Sequence, residues 1–287
     1  MTIRPLRPED AADAAACTRI SLGALYPENV SPAELAIRVT SGTARVAHLQ
    51  RTDPDGCWVA DCDGRVVGAA LGLIREHMWG LSLFALLPEF QGRGIGNRLY
   101  APALAYGADE PRAIILSSSH PAAIRRYARS PGFVLVPSVG LTGIVDTGRM
   151  PSALRCRAGD LTADAETIEG ASRHVRGASH LRDLPIHLDR PGMTLLVVDG
   201  EGFACVHEGS PTLLAARSEA AAADLLWGAL TSGAPGATVS CDFVTAQNQW
   251  AIQTGLAAGL AVTGCGPLFV RGQVGPMAPY VPNGPYL

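Results

Sequence analysis

Lysine is absent from the 287-residue chain, and all 23 of its basic residues are arginine. A nucleotide loop of the GxxxxGK[ST] type needs that lysine and is excluded. Charge is sparse: charged residues make up 17% of the chain and the formal net charge is −3. Nothing here supplies the clustered positive field that nonspecific nucleic-acid binding requires, so no nucleic-acid partner is expected. No run approaches the ~18 consecutive apolar residues of a membrane span. The opening MTIRPLRPED carries arginines and acids where a signal peptide needs an apolar core. These absences predict a soluble cytoplasmic protein without a membrane partner. The seven cysteines (17, 57, 62, 156, 205, 241 and 265) are odd in number and form no CxxC pair. Their pattern argues against a disulfide framework or a zinc site, and no metal is expected. What the chain has is apolar material, 47% of its residues, and a length that fits two domains of about 150 residues each.

The sequence reads as one unit written twice. IRPLRPEDAADAAACTRI predicts a strand, a turn and a helix opened by Pro8, Glu9 and Asp10, because proline in a first turn and acids near the helix N-terminus favour initiation. LRCRAGDLTADAETI repeats that syntax, with Arg157 to Asp160 matching the spacing of Arg7 to Asp10, which places a boundary near Gly148 to Ala153. Each half continues with a hairpin around a D-x-[DE]-G turn, Asp61 to Gly64 and Asp199 to Gly202. A third strand follows (81–87 and 211–216), then a helix, a fourth strand and another helix. The expected fold class is α+β, in two tandem domains, 1–150 and 151–287. Each is a mixed, mostly antiparallel sheet flanked by helices.

The sharpest local feature is PEFQGRGIGNRLYAPALAYG, where a strand passes through Pro88 into a loop at 91–96 and then a helix ending near Gly107. Glycines 92, 94 and 96 let backbone amides approach a ligand, and the new helix adds its unpaired N–H groups. The loop is an anion site in outline, suited to a pyrophosphate, although a glycine-rich turn can also be only a tight connection.

Gln-x-x-Gly-x-Gly after an apolar strand and a proline resembles the acyl-CoA signature of the GNAT acetyltransferase superfamily. The likeness spans about residues 2–145, through IRPLRPED, DCDGRVVGAALG, LFALLPEFQGRGIGNRL and SHPAAIRRYARSPGF. It implies that the backbone of Phe84, Ala85 and Leu86 binds pantetheine amides as an added strand would. Gln91, Gly92, Arg93, Gly94, Ile95, Gly96 and Asn97 would then hold the pyrophosphate, with Arg93 either touching it or simply solvated. Tyr127 falls where the family keeps a phenol that protonates the departing thiolate, though it precedes Gly132 by five residues, one more than is usual. His120 stands where many relatives have a cofactor-touching Asn, and equally suits a helix start beside Pro121. No carboxylate occupies the strands where some relatives carry a general base. Glu76 and His77, at the end of the hairpin's second strand and beside the cleft, are the nearest candidates.

The second copy lacks this equipment. ARSEAAAADLLWGAL replaces the glycine loop, and Gly255 stands opposite Tyr127, which resembles the degenerate copies of tandem GNAT proteins in actinobacteria. Within it, SRHVRGASHLRD is read as a polar helix-loop surface in preference to an acceptor-recognition segment, and Trp250 as a core residue. The charge-free tail GQVGPMAPYVPNGPYL is too aromatic for a solvated segment. It either packs on its own domain or reaches the first domain's cleft and brings the α-carboxylate of Leu287 there as the missing base, as the resemblance to some two-domain relatives implies. The expected activity is transfer of an acetyl group from acetyl-CoA to a primary amine of a small molecule, by direct attack in a ternary complex. A non-catalytic acyl-CoA sensor and a protein N-acetyltransferase are the rival readings. The sequence specifies neither the acceptor nor the oligomeric state.

Overall fold

A computed structural model describes residues 1–23 and 31–287. The chain is α+β, with sheets flanked by helices, and divides by packing into two compact units: Met1–Ile115 with the terminal Leu287, and Leu116–Tyr286.

The first unit begins with β1 (Thr2–Pro5), α1 (Ala11–Gly23) and α2 (Pro32–Thr52). The meander β2 (Cys57–Cys62), β3 (Arg65–Arg75) and β4 (Met78–Leu86) follows, then α3 (Ile95–Tyr106) and β5 (Arg112–Leu116). Strands β1 to β4 are antiparallel neighbours, and β5 runs parallel to β4. Asp63 and Gly64 adopt left-handed backbone (φ 54° and 86°) between β2 and β3, as an Asp-Gly hairpin turn requires. The next turn is made by Glu76 and His77, both left-handed (φ 46° and 63°) without a glycine. No turn signature marks that pair, which is why β4 begins at Met78, three residues before the expected strand start.

In the second unit come α4 (Pro121–Ala128), β6 (Val134–Val136), β7 (Ser138–Ile144), β8 (Arg157–Ala158), α5 (Ala165–Arg176) and α6 (Leu184–Leu188). Then follow β9 (Met193–Val198), β10 (Gly202–His207), β11 (Ser210–Ala216), α7 (Glu219–Thr231), β12 (Thr238–Thr245) and α8 (Gln249–Ala257). The last strands are β13 (Ala261–Gly264), β14 (Leu268–Arg271) and β15 (Tyr280–Val281). They form an antiparallel sheet in the order β15-β11-β10-β9-β8, a three-stranded sheet β12-β7-β13, and a β14–β6 ladder.

The repeat is visible in matching ion networks. Arg4 grips Asp10 through both terminal nitrogens (2.6 and 2.9 Å) and Asp61 through Nε (3.0 Å), while the Arg7 N–H donates to Asp10. Arg157 likewise grips Asp164 (2.6 and 3.1 Å) and Asp199 (2.9 Å), and the Asp160 N–H donates to Asp164. Arg157 therefore corresponds to Arg4, not to Arg7, and Asp164 to Asp10, a shift from the register read in sequence. The ladders agree: Gly68 faces Leu86 as Gly202 faces Ala216. The first hairpin is thus four residues longer between its aspartate and that glycine (61 to 68 against 199 to 202).

The repeat and the packing divide the chain at different places, because the two copies exchange strands. β7, written in the first copy, lies between β12 and β13 of the second. β14, written in the second, pairs with β6 of the first. Packing accordingly does not part at the 148–153 connection, which carries only a one-turn helix at Thr147–Arg149.

Candidate functional site

β4 pairs with β5 only from Met78 to Leu81, opposite Arg112 to Ile115. Beyond Leu81 the two strands part, while β4 stays paired to β3 on its other side through Leu86. Among the described strands of this unit, none pairs with the Ser82 to Leu86 edge on the side that β5 leaves. A bulge at Ser82, between the pairs Leu71–Leu83 and Gly72–Leu81, re-aims the strand where the parting begins. Arg45 of α2 holds that bulge, donating to the carbonyl and, at 2.9 Å, to the hydroxyl of Ser82. Neither Arg45 nor Ser82 carries a sequence signal for this role.

The edge runs directly into the glycine loop. Gln91 folds back and donates to the Leu86 carbonyl at 2.9 Å, tying the loop to the strand end. Gly92 and Gly94 are left-handed (φ 74° and 78°), and a Cβ built on either meets open space. Gly94 is the N-cap of α3 and accepts from the N–H groups of Asn97 and Arg98. The preceding amides of the helix start have no intrahelical acceptor. Arg93 and Asn97 are exposed, and Ile95 and Gly96 buried. Phe84 is half-buried and meets Tyr100 edge-on at 5.9 Å, whereas Ala85 and Leu86 are buried. These residues form a backbone-lined slot ending in an anion-suited cradle, which fits an amide-bearing chain with a pyrophosphate.

Leu287 joins this unit. It is fully buried, and its side chain fills the niche left by Gly80, beside Leu73. Gly80 lies one residue before Leu81, the last position at which β4 and β5 pair. Glu76 and His77 lie at the opposite end of β4, roughly 25 Å along the strand from the loop. Both are exposed, and His77 Nδ1 sits 3.4 Å from Glu110. The buried carboxylate of Asp53 is committed to Arg75 at 2.8 Å and to the Ile74 N–H. Burial and that carboxylate push the Tyr106 hydroxyl, 3.2 Å away, up to about 12.

In the second unit, Tyr127 is 4% exposed and packs edge-on against Phe269 of β14 at 5.6 Å. His120 caps α4, its Nδ1 accepting from the Ala122 N–H at 3.3 Å, so the ring proton belongs on Nε2. The other copy has no counterpart to the loop. Eight residues (87–94) separate β4 from α3, but two (217–218) separate β11 from α7. Ser218 caps α7, and its hydroxyl is held by Glu201 at 2.5 Å. That hydroxyl and, after it, Arg155 keep Glu201 below the usual carboxylate range, so a negative charge stands at the start of α7. Gly255, opposite Tyr127 in the repeat, is closed over by Leu141 of the exchanged β7.

One sequence reading is corrected. The segment 172–183 is a polar surface only in part: Arg173, His174 and Arg182 are exposed, but Arg176, His180 and Asp183 are fully buried. Buried Ile168, Ala171, Ser172, Val175 and Arg176 follow the i, i+3, i+4, i+7, i+8 spacing of one helix face, the signal that places Arg176 inward.

Residues 16–133 match the family model of the acetyltransferase (GNAT) family. A protein from Pyrococcus horikoshii described as an acetyltransferase shares the fold at TM-score 0.73 and 18% identity, over 94% of this chain and 89% of its own. GCN5-related N-acetyltransferases from Kribbella flavida (TM-score 0.57, 16% identity, 94% and 71% covered) and Sphaerobacter thermophilus (0.56, 15%, 94% and 95%) share it as well. No protein with a curated description matches the sequence. Among the described residues no helix is long and apolar enough to cross a membrane.

Proposed function

We propose, for a chain whose residues 16–133 match the family model of the acetyltransferase (GNAT) family, that it transfers the acetyl group of acetyl-CoA to a primary amine of a small molecule, by direct attack in a ternary complex. The observation that carries this reading is the edge of β4, which β5 leaves beyond Leu81 and which runs on into the open, left-handed glycines 92 and 94. Phe84 to Leu86 receive the pantetheine amides as an added strand. Gln91 to Asn97 cradle the pyrophosphate on backbone N–H groups at the start of α3, and Arg93 adds a charge-assisted contact. His120 offers its Nε2–H to the cofactor.

An amine with a pKa near ~10 must lose a proton before it attacks. The burial of Leu287 at Gly80, beside the point where β4 and β5 part, favours its α-carboxylate as the acceptor of that proton, directly or through a water. Glu76 and His77, in the exposed turn that precedes β4, lack this burial. As the nitrogen–carbon bond forms and the carbon–sulfur bond breaks, the Tyr127 hydroxyl gives its proton to the sulfur, and the proton that the nitrogen sheds on becoming an amide returns to the phenolate through water. The test is coenzyme A release across a panel of small amines and peptides. Turnover with small amines alone supports the reading. Turnover confined to peptides would identify a protein acetyltransferase, and binding without any turnover a sensor.

A further inference from the structure

The second copy raises a question of occupancy. By ladder register, Leu214 and Ala215 of β11 correspond to Phe84 and Ala85 of β4. Along β4 those positions lie on the edge that β5 leaves. On β11 they are covered: Val281 pairs with Leu214, Tyr280 with Ala215, and the Ala216 N–H donates to the Pro279 carbonyl at 3.2 Å. The chain's own tail thus lies as an added strand along the slot of the copy that has lost its phosphate loop.

The slot is also built to recognise what fills it. Tyr280 is fully buried, and its hydroxyl lies 3.0 Å from Nε2 of His180, whose Nδ1 is 2.9 Å from the Ser172 hydroxyl. Asn248 reads the main chain on both sides, its Oδ1 accepting from the Tyr280 N–H and its Nδ2 donating to the Met277 carbonyl. Arg176, fully buried, donates to the Tyr286 carbonyl at 2.9 Å and spends its other nitrogens on the carbonyls of Ala178 and Ser179. A buried guanidinium is costly unless its donors are used. Here two of them hold the Ala178–Ser179 turn and the third fastens the penultimate residue of the chain.

We infer that the abandoned cofactor slot of the second copy is a peptide-binding site, and that its ligand is the extended, aromatic, proline-rich C-terminal segment 274–287. Its occupancy fixes where Leu287 ends. Arg176, His180 and Asn248 are positioning residues that act through the tail. This consequence for activity rests on the proposed role of the Leu287 carboxylate; the binding site itself does not.

The test keeps the protein folded throughout. A protease site inserted between Gly272 and Gln273, both exposed, is cut after the full chain has folded. The nicked protein is then incubated with excess fluorescent 274–287 peptide, so the slot is never left empty. The inference predicts that the cut tail co-elutes with the body and then exchanges for the labelled peptide. A Tyr280→Ala peptide should compete about tenfold more weakly, and Arg176→Met in the body should speed release by a similar factor. A cut tail that separates at once from a body with an unchanged melt would overturn the site, as would a Tyr280→Ala peptide that competes equally. A C-terminally amidated peptide separates the two claims. It should bind as well as the acid and fail to sustain kcat. If it binds equally and sustains full kcat, the slot stands and the role of the Leu287 carboxylate falls.

Discussion

At the scale of single residues, Tyr127 tests whether a buried aromatic also does chemistry. Its ring packs on Phe269, so Tyr127→Phe keeps the packing and removes the hydroxyl proposed as the proton donor. The expected result is a fall in kcat of ~10²-fold with unchanged acetyl-CoA affinity and unchanged melting temperature. Unchanged kcat would reduce Tyr127 to a packing residue. Residues such as Gly92 and Gly94 were legible in the sequence because their role is local: the φ they adopt is one that glycine takes freely, and the motif sits on contiguous positions. Arg45, Arg176 and His180 were not legible as functional. Their partners are Ser82, Tyr286 and Tyr280, separated from them by 37, 110 and 100 positions, and only the fold brings these together.

At the scale of elements, each copy fastens its first strand to its first long helix and its hairpin through one arginine and two aspartates. Hydrogen bonds from Arg4 hold Asp10 below the usual carboxylate range, and those from Arg157 do the same for Asp164. A carboxyl group whose pKa is lowered on folding contributes stability that is present above its unfolded value and lost as pH falls through its folded value. Asp10→Asn and Asp164→Asn should each lower Tm by about 3 °C at pH 7. The gap to the parent should close as pH falls below the ordinary aspartate range. A gap that is constant with pH would mean that the pairs contribute through shape alone. The hairpins themselves were readable from their Asp-Gly and Gly-containing turns. The Glu76–His77 turn was hidden, since two non-glycine residues in left-handed backbone leave no mark in composition.

At the scale of the whole molecule, the sequence revealed two copies but not their entanglement. Periodicity and turn chemistry report where strands are, and say nothing of which neighbour a strand chooses. With β7 seated between β12 and β13, and β14 paired to β6, residues 1–150 and 151–287 each lack a strand the other holds. Each fragment expressed alone should show no cooperative melt, and the two co-expressed should purify together. A sharp, independent transition from either fragment would contradict the exchange.

Duplication with loss of one site leads to a single count. The second copy has a two-residue connection, a carboxylate at its helix start and a strand of its own chain in the slot, whereas the first has the edge that β5 leaves and the glycines. Isothermal titration of the full chain with acetyl-CoA should therefore give a stoichiometry near one. Gly94→Asp should bring it to zero, by placing a side chain and a negative charge in the proposed pyrophosphate cradle. Two sites of similar affinity, or binding that survives Gly94→Asp, would contradict an acetyl-CoA site confined to the first copy.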